Sequence, residues 1–243
     1  MSDRTSPRKE ESAPARIKFC GITRVEDARQ ASFLAADYVG VVLADSPRRV
    51  DARTASAVFE AAGPDIAHVA VFGRGEIGDI SAVAREINAD VIQLHGGAHP
   101  RDVEALRSSF SGEIWAVIGL DPGASTLPAG AEELARVADG VLLDSRVAGR
   151  TGGTGVPLDW ARLADAVVAL RGRTRVILGG GLDPGNVAVA LRALGPDVVD
   201  VSSGVEAFPG IKDHGRMRAF AEAARSASID RGRIASPSRL ETE

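Results

Sequence analysis

The feature that most constrains this chain is a single alternation repeated eight times between Ala15 and Arg225. Short apolar runs rich in Val, Ile and Leu are each followed by a longer segment with helical spacing. The runs read as strands at 15–20, 37–43, 66–72, 90–95, 113–120, 140–143, 175–178 and 198–201. Helices are expected at 23–36, 51–62, 77–88, 100–110, 131–138, 159–170, 184–194 and 213–225. The runs are continuously apolar, without the alternation of a half-exposed sheet, so each strand must be covered on both faces, as in a parallel sheet with crossover helices. Eight such units predict a single α/β domain, a closed (β/α)8 barrel of the TIM type. An open doubly wound sheet is disfavoured because the first strand is not followed by a G-x-G-x-x-G dinucleotide turn.

The 243 residues suffice for one such barrel, and 44% hydrophobic with 26% charged residues is an ordinary globular balance. Residues 1–14 mix Ser, Pro, Arg and Glu and are expected to form a disordered extension. Residues 226–243 read as a polar tail, and no boundary falls within 15–225. A net charge of −4 disfavours nucleic acid and anionic membranes as partners. One cysteine, Cys20, and no apolar leader point to a reduced, cytoplasmic protein, and the sequence leaves both a monomer and a homodimer open.

A barrel of this kind carries its chemistry at the C-terminal ends of its strands, and phosphate is commonly held after strands seven and eight. Gly179-Gly180-Gly181 follows strand seven, Ser202-Ser203-Gly204 follows strand eight, and Gly152-Gly153-Thr154-Gly155 follows strand six. Small residues there let backbone N–H groups approach an anion, so a phosphorylated small molecule is the expected ligand. Asp144 ends strand six, where partial burial would make its carboxyl a general acid, or where it would pair with Arg146 or Arg150. Cys20 ends strand one, where its thiol is a candidate base or an inert core residue. Of the nearby cations Lys18 and Arg24, only Arg24 is expected on the loop side. Arg48, in the loop after strand two, could fork a carboxylate, and His95 closes strand four. Asp200 reads as a structural hydrogen-bonding residue within strand eight. His68, His99 and His214 lack metal-site spacing, and neither a metal nor a cofactor is implied. Trp115 and Trp160 read as packing residues.

In order along the chain, KFCGITR, SPRRV, QLHG, LLDSR with GGTG, GGGLDPGNV, and VDVSSGVE with PGIKD resemble the phosphoribosylanthranilate isomerases of tryptophan biosynthesis, in register from about Arg16 to Phe220. The resemblance implies a cofactor-free Amadori rearrangement of N-(5-phosphoribosyl)anthranilate. Cys20 would be the base at C2 of the sugar and Asp144 the acid at the ring oxygen. Arg48 would lie near the anthranilate carboxylate and His95 would line the pocket, with Gly155, Gly180, Gly181, Ser203 and Gly204 at the phosphate. Rival readings are a paralogous isomerase of a specialised pathway and a phosphate-binding barrel without activity. The related histidine-pathway isomerase carries Asp where Cys20 stands.

Overall fold

The computed structural model describes residues 15–147, 150–151 and 158–227, with nothing said of the side chains at 146, 147, 150 and 151. The extension at 1–14, the tail from 228 onward and the expected phosphate residue Gly155 lie outside the described residues.

The strands β1 (Arg16–Cys20), β2 (Tyr38–Val42), β3 (Ala67–Phe72), β4 (Val91–Leu94), β5 (Glu113–Leu120), β6 (Gly140–Val147), β8 (Arg175–Leu178) and β9 (Val198–Val201) pair in parallel. Contacts of β5 with β6 and of β1 with β9 close the ring, so the expected (β/α)8 barrel is present. Its crossover helices are α1 (Val25–Phe33), α2 (Ala52–Ala62), α3 (Ile77–Glu86), α4 (Pro100–Arg107), α5 (Ala131–Val137), α6 (Trp160–Leu170), α7 (Val187–Leu194) and α8 (His214–Ser226). A two-residue strand β7 (Arg150–Thr151) pairs antiparallel with the end of β6, and a hairpin of β10 (Glu206–Phe208) and β11 (Ile211–Lys212) follows β9.

Alternation along each strand sorts the side chains into two cores. Phe19, Val39, Ala70, Ile92, Ala116 and Leu143 face outward into the helix layer, whereas Val69, Val91, Trp115, Leu142, Ile177 and Val198 fill the barrel. Trp115 has no solvent exposure and meets Tyr38 edge-on, with ring centroids 4.9 Å apart, at the heart of that inner cluster. Three helices are capped by the aspartate that precedes them, Asp51, Asp159 and Asp213. Asp51 accepts the N–H of Thr54 at 2.8 Å and Asp213 that of Arg216 at 3.0 Å.

Three expectations are corrected. Helix α1 begins at Val25, two residues later than expected, and the Thr23 hydroxyl ahead of it donates to the Gly210 carbonyl. It also ends at Phe33, not Ala36. Helix α7 starts three residues later than expected, since Asp183 accepts the N–H groups of Gly185 and Asn186 at 2.7 and 3.0 Å and holds a turn there. Strand β6 continues past Leu143, because Asp144 and Ser145 keep pairing with Gly119 and Leu120 before the chain reverses into β7. Asp144 therefore lies within the strand, beyond its expected end at Leu143.

Candidate active site

Lys18 and Cys20 are two residues apart on β1, so both point into the barrel. Lys18 is fully buried, and its Nζ donates to Asp200 Oδ1 at 2.9 Å across the β1–β9 register that pairs the two residues. Burial opposes the charge on Lys18, but Asp200 and Cys20 outweigh it and hold the ammonium above its ordinary pKa. Cys20 lies opposite Gly40 on β2 and is almost fully buried. Burial pushes its thiol up, while Lys18 and Lys212 pull it down and Asp200 adds to the rise; the net direction is upward. Arg24, the cation expected beside Cys20, is instead forked onto Asp27 at 2.9 and 2.7 Å. Lys18 takes that place, a residue that the alternation of β1 would have identified.

Asp144 is buried on β6, and its Oδ1 has no hydrogen-bond partner among the described residues. Burial first, then the charge of Asp200, pushes its carboxyl up to about 7, against a backbone hydrogen bond from Ser145 and the charge of Lys18. A carboxyl in that range can give up a proton near neutral pH. Asp200 and Lys18 thus act on both candidate groups, and the Lys18–Asp200 pair links Cys20 and Asp144 electrostatically. Gly180 is required beside them. Its φ is +77°, and a Cβ there would stand 2.4 Å from Ser145 N and 2.7 Å from Asp144 Oδ1.

Arg48 crosses above the turn after β1, where a Cβ on Gly21 would come within 2.5 Å of Arg48 Cδ and 3.0 Å of Ser202 Oγ. Its fork is already filled. Nε and Nη2 each donate at 2.7 Å to the two oxygens of Glu206 on β10. Lys212 on β11 also reaches Glu206, at 2.8 Å, and donates to the Ser202 carbonyl at 3.1 Å. Together Arg48 and Lys212 outweigh burial and hold the Glu206 carboxyl below its ordinary pKa. Neither Glu206 nor Lys212 was singled out from the sequence, since nothing local shows which loops will meet.

The loops after β8 and β9 abut. A Cβ on Gly204 would lie 2.0 Å from the Leu182 carbonyl oxygen, so this contact of backbone with backbone admits only glycine. Gly180 and Gly181 have φ of +77° and +71°, and Ser203 opens a single 3-10 turn, Ser203–Val205. His95 follows β4 and lines a cavity of about 420 Å3 with Arg74 and His99 at the ends of β3 and β4. Neither Cys20 nor Asp144 lines that cavity.

One thiol, one carboxyl pushed up to about 7, the Arg48–Glu206 pair and abutting glycine loops thus gather at the C-terminal ends of the strands, the end of such a barrel that carries chemistry. The family model for N-(5'-phosphoribosyl)anthranilate isomerase matches residues 17–223, and the chain belongs to that family, an isomerase family of tryptophan biosynthesis. The isomerase of Haloferax volcanii is 38% identical over 215 residues, covering 87% of this chain and 94% of its own. The Thermotoga maritima enzyme superposes with a TM-score of 0.74 at 33% identity, covering 86% of this chain and 98% of its own. A further solved isomerase, with a TM-score of 0.73 and 30% identity over 86% of this chain and 98% of its own, holds reduced 1-(o-carboxyphenylamino)-1-deoxyribulose 5-phosphate.

Proposed function

We propose that the chain isomerises N-(5-phosphoribosyl)anthranilate to 1-(2-carboxyphenylamino)-1-deoxyribulose 5-phosphate, with Asp144 as acid and Cys20 as base. The observation that carries this reading is the buried Asp144 carboxyl, pushed up to about 7 with no hydrogen-bond partner for its Oδ1 among the described residues, and coupled to the chain's one thiol through Lys18 and Asp200. Protonated Asp144 gives its proton to the furanose ring oxygen as the C1–O bond breaks, leaving an iminium between C1 and the anthranilate nitrogen. The Cys20 thiolate then takes the proton from C2, and the C–H electrons form the enolamine that tautomerises to the ketone. Such acid and base steps each contribute about 100- to 10,000-fold. The abutting loops at Gly180, Gly181, Ser203 and Gly204 suit the substrate phosphate, and Arg48 presents its remaining N–H groups to the carboxylate of the ring. The reduced 1-(o-carboxyphenylamino)-1-deoxyribulose 5-phosphate held by one solved relative carries both of the groups that these residues would serve, a carboxylate and a phosphate.

The reactive state pairs a thiolate with a protonated carboxyl, the reverse of what their relative acidities favour, since Asp144 sits near 7 and Cys20 above an ordinary thiol. The kcat/KM should therefore rise with pH up to about 7, level off, and fall only beyond the Cys20 pKa, with Asp144 setting the lower limb and Cys20 the upper. Assay with the purified substrate tests the reading. Cys20→Ser and Asp144→Asn should each lower kcat at least ~100-fold while substrate still binds. Near-wild-type kcat in either variant would sink the assignment, and wild-type binding without turnover would favour a binding barrel.

A further inference from the structure

A lysine without solvent exposure in the middle of a barrel strand is not needed to build a barrel. The inner cluster is otherwise filled by residues such as Val69, Val117, Leu142, Ile177 and Trp115, and a buried ion pair is often no more stabilising than apolar residues of equal volume. The Lys18–Asp200 pair is placed where it touches chemistry. A Cβ on Gly40 would lie 3.0 Å from Cys20 Sγ, 3.2 Å from Lys18 Cε and 3.3 Å from Lys18 Nζ. Thiol and ammonium thus share the space that the missing side chain leaves, which bounds their separation at about 6 Å, within the range where an opposite charge favours an ionised group. Four other charged groups bear on the thiol or its partner: Asp200 on β9, Lys212 on β11, Arg48 in the loop after β2, and Asp144 on β6 through Asp200 and Lys18. Arg48 and Lys212 are both engaged by Glu206, so their charge is offset next to the site.

We propose that Lys18 is the counter-ion of the Cys20 thiolate, a positioning residue anchored by Asp200 and given its place beside the sulfur by Gly40. This rests on the reading of Cys20 as the base and says how that base is formed. In the barrel the thiol loses its proton to solvent at the mouth, and the resulting negative charge is met by the ammonium two residues earlier on the same strand. Burial alone would hold the thiol protonated; among the groups around it, Lys18 is the strongest opposing influence.

Because the chain has one cysteine, the ultraviolet absorbance of its thiolate can be titrated directly as the difference between wild type and Cys20→Ala. Lys18→Met should move the titration midpoint upward by about one unit or more. The plateau kcat/KM should fall about tenfold per unit, with KM little changed, because fewer molecules hold the thiolate. Lys18→Met leaves Asp200 buried without its partner, so Lys18→Met/Asp200→Asn is the matched second variant, uncharged at both positions and checked for folding by circular dichroism. Its midpoint should also rise, since the attraction of Lys18 exceeds the repulsion of Asp200. A folded double variant that titrates at the wild-type midpoint overturns the counter-ion role. The titration uses no substrate and so stands apart from the isomerase assignment: shifted midpoints beside a fully active Cys20→Ser would retain the counter-ion and discard the base.

Discussion

At Asp144, burial and the charge of Asp200 act in the same direction, and together they outweigh Lys18 and the Ser145 N–H. The folded protein therefore prefers the protonated carboxyl, and the stability consequence has a definite sign. Below the unfolded value of about 3.8 the group costs nothing; the cost grows as pH rises and is complete above about 7. Relative to Asp144→Asn, the wild type should lose a few kcal/mol of stability between about pH 4 and pH 8. Thermal unfolding of both proteins across that range reads it directly, and a melting difference that does not change with pH would contradict the raised pKa of the buried carboxyl. Single positions of this kind were only partly legible. The apolar run ahead of Asp144 marked a strand end, but the burial of its carboxyl and the charge of Asp200 acting on it depend on β8 and β9, which the closed ring brings beside β6. Lys18 shows the opposite case, because its two-residue spacing from Cys20 was visible in the sequence and its partner Asp200, 182 residues away, was not.

The hairpin β10–β11 is the element whose role the sequence did not disclose. Its first and last residues, Glu206 and Lys212, pair with each other in register, and Glu206 holds the Arg48 fork from a different loop. Charge-assisted forks of this geometry are worth more than ordinary hydrogen bonds, and they fix the guanidinium plane. Glu206→Gln should leave Arg48 loosely oriented, raising KM about tenfold with a smaller effect on kcat. Steady-state kinetics separate the two, and a fall in kcat at constant KM would place Glu206 in the chemistry instead. The helices, by contrast, were legible as elements, and their errors lie at the ends. There a side chain found a tertiary partner, as Thr23 found Gly210, or a local turn delayed the start, as Asp183 did before α7.

At the scale of the whole molecule, the barrel interior is the shared load on which the site stands. Trp115 fills it without exposure, with Tyr38 at its edge and the Arg175 guanidinium 6.0 Å from its ring. Trp115→Ala should cost about 3–5 kcal/mol, read by denaturant unfolding, because the closed ring of strands cannot collapse into the space. A loss below 1 kcal/mol would show that the interior repacks. The sequence by itself determined the barrel, since eight doubly buried strands separated by amphipathic helices admit few other closures, and it placed Cys20, Asp144 and the glycine loops at strand ends. The tertiary structure alone decided which charges meet there: Lys18 with Asp200, Arg48 and Lys212 with Glu206, and Gly40 opposite Cys20. The reason is physical. Strand and helix periodicity are local properties of the chain, whereas the pairing of buried charges depends on strand register and loop contacts between residues far apart in sequence.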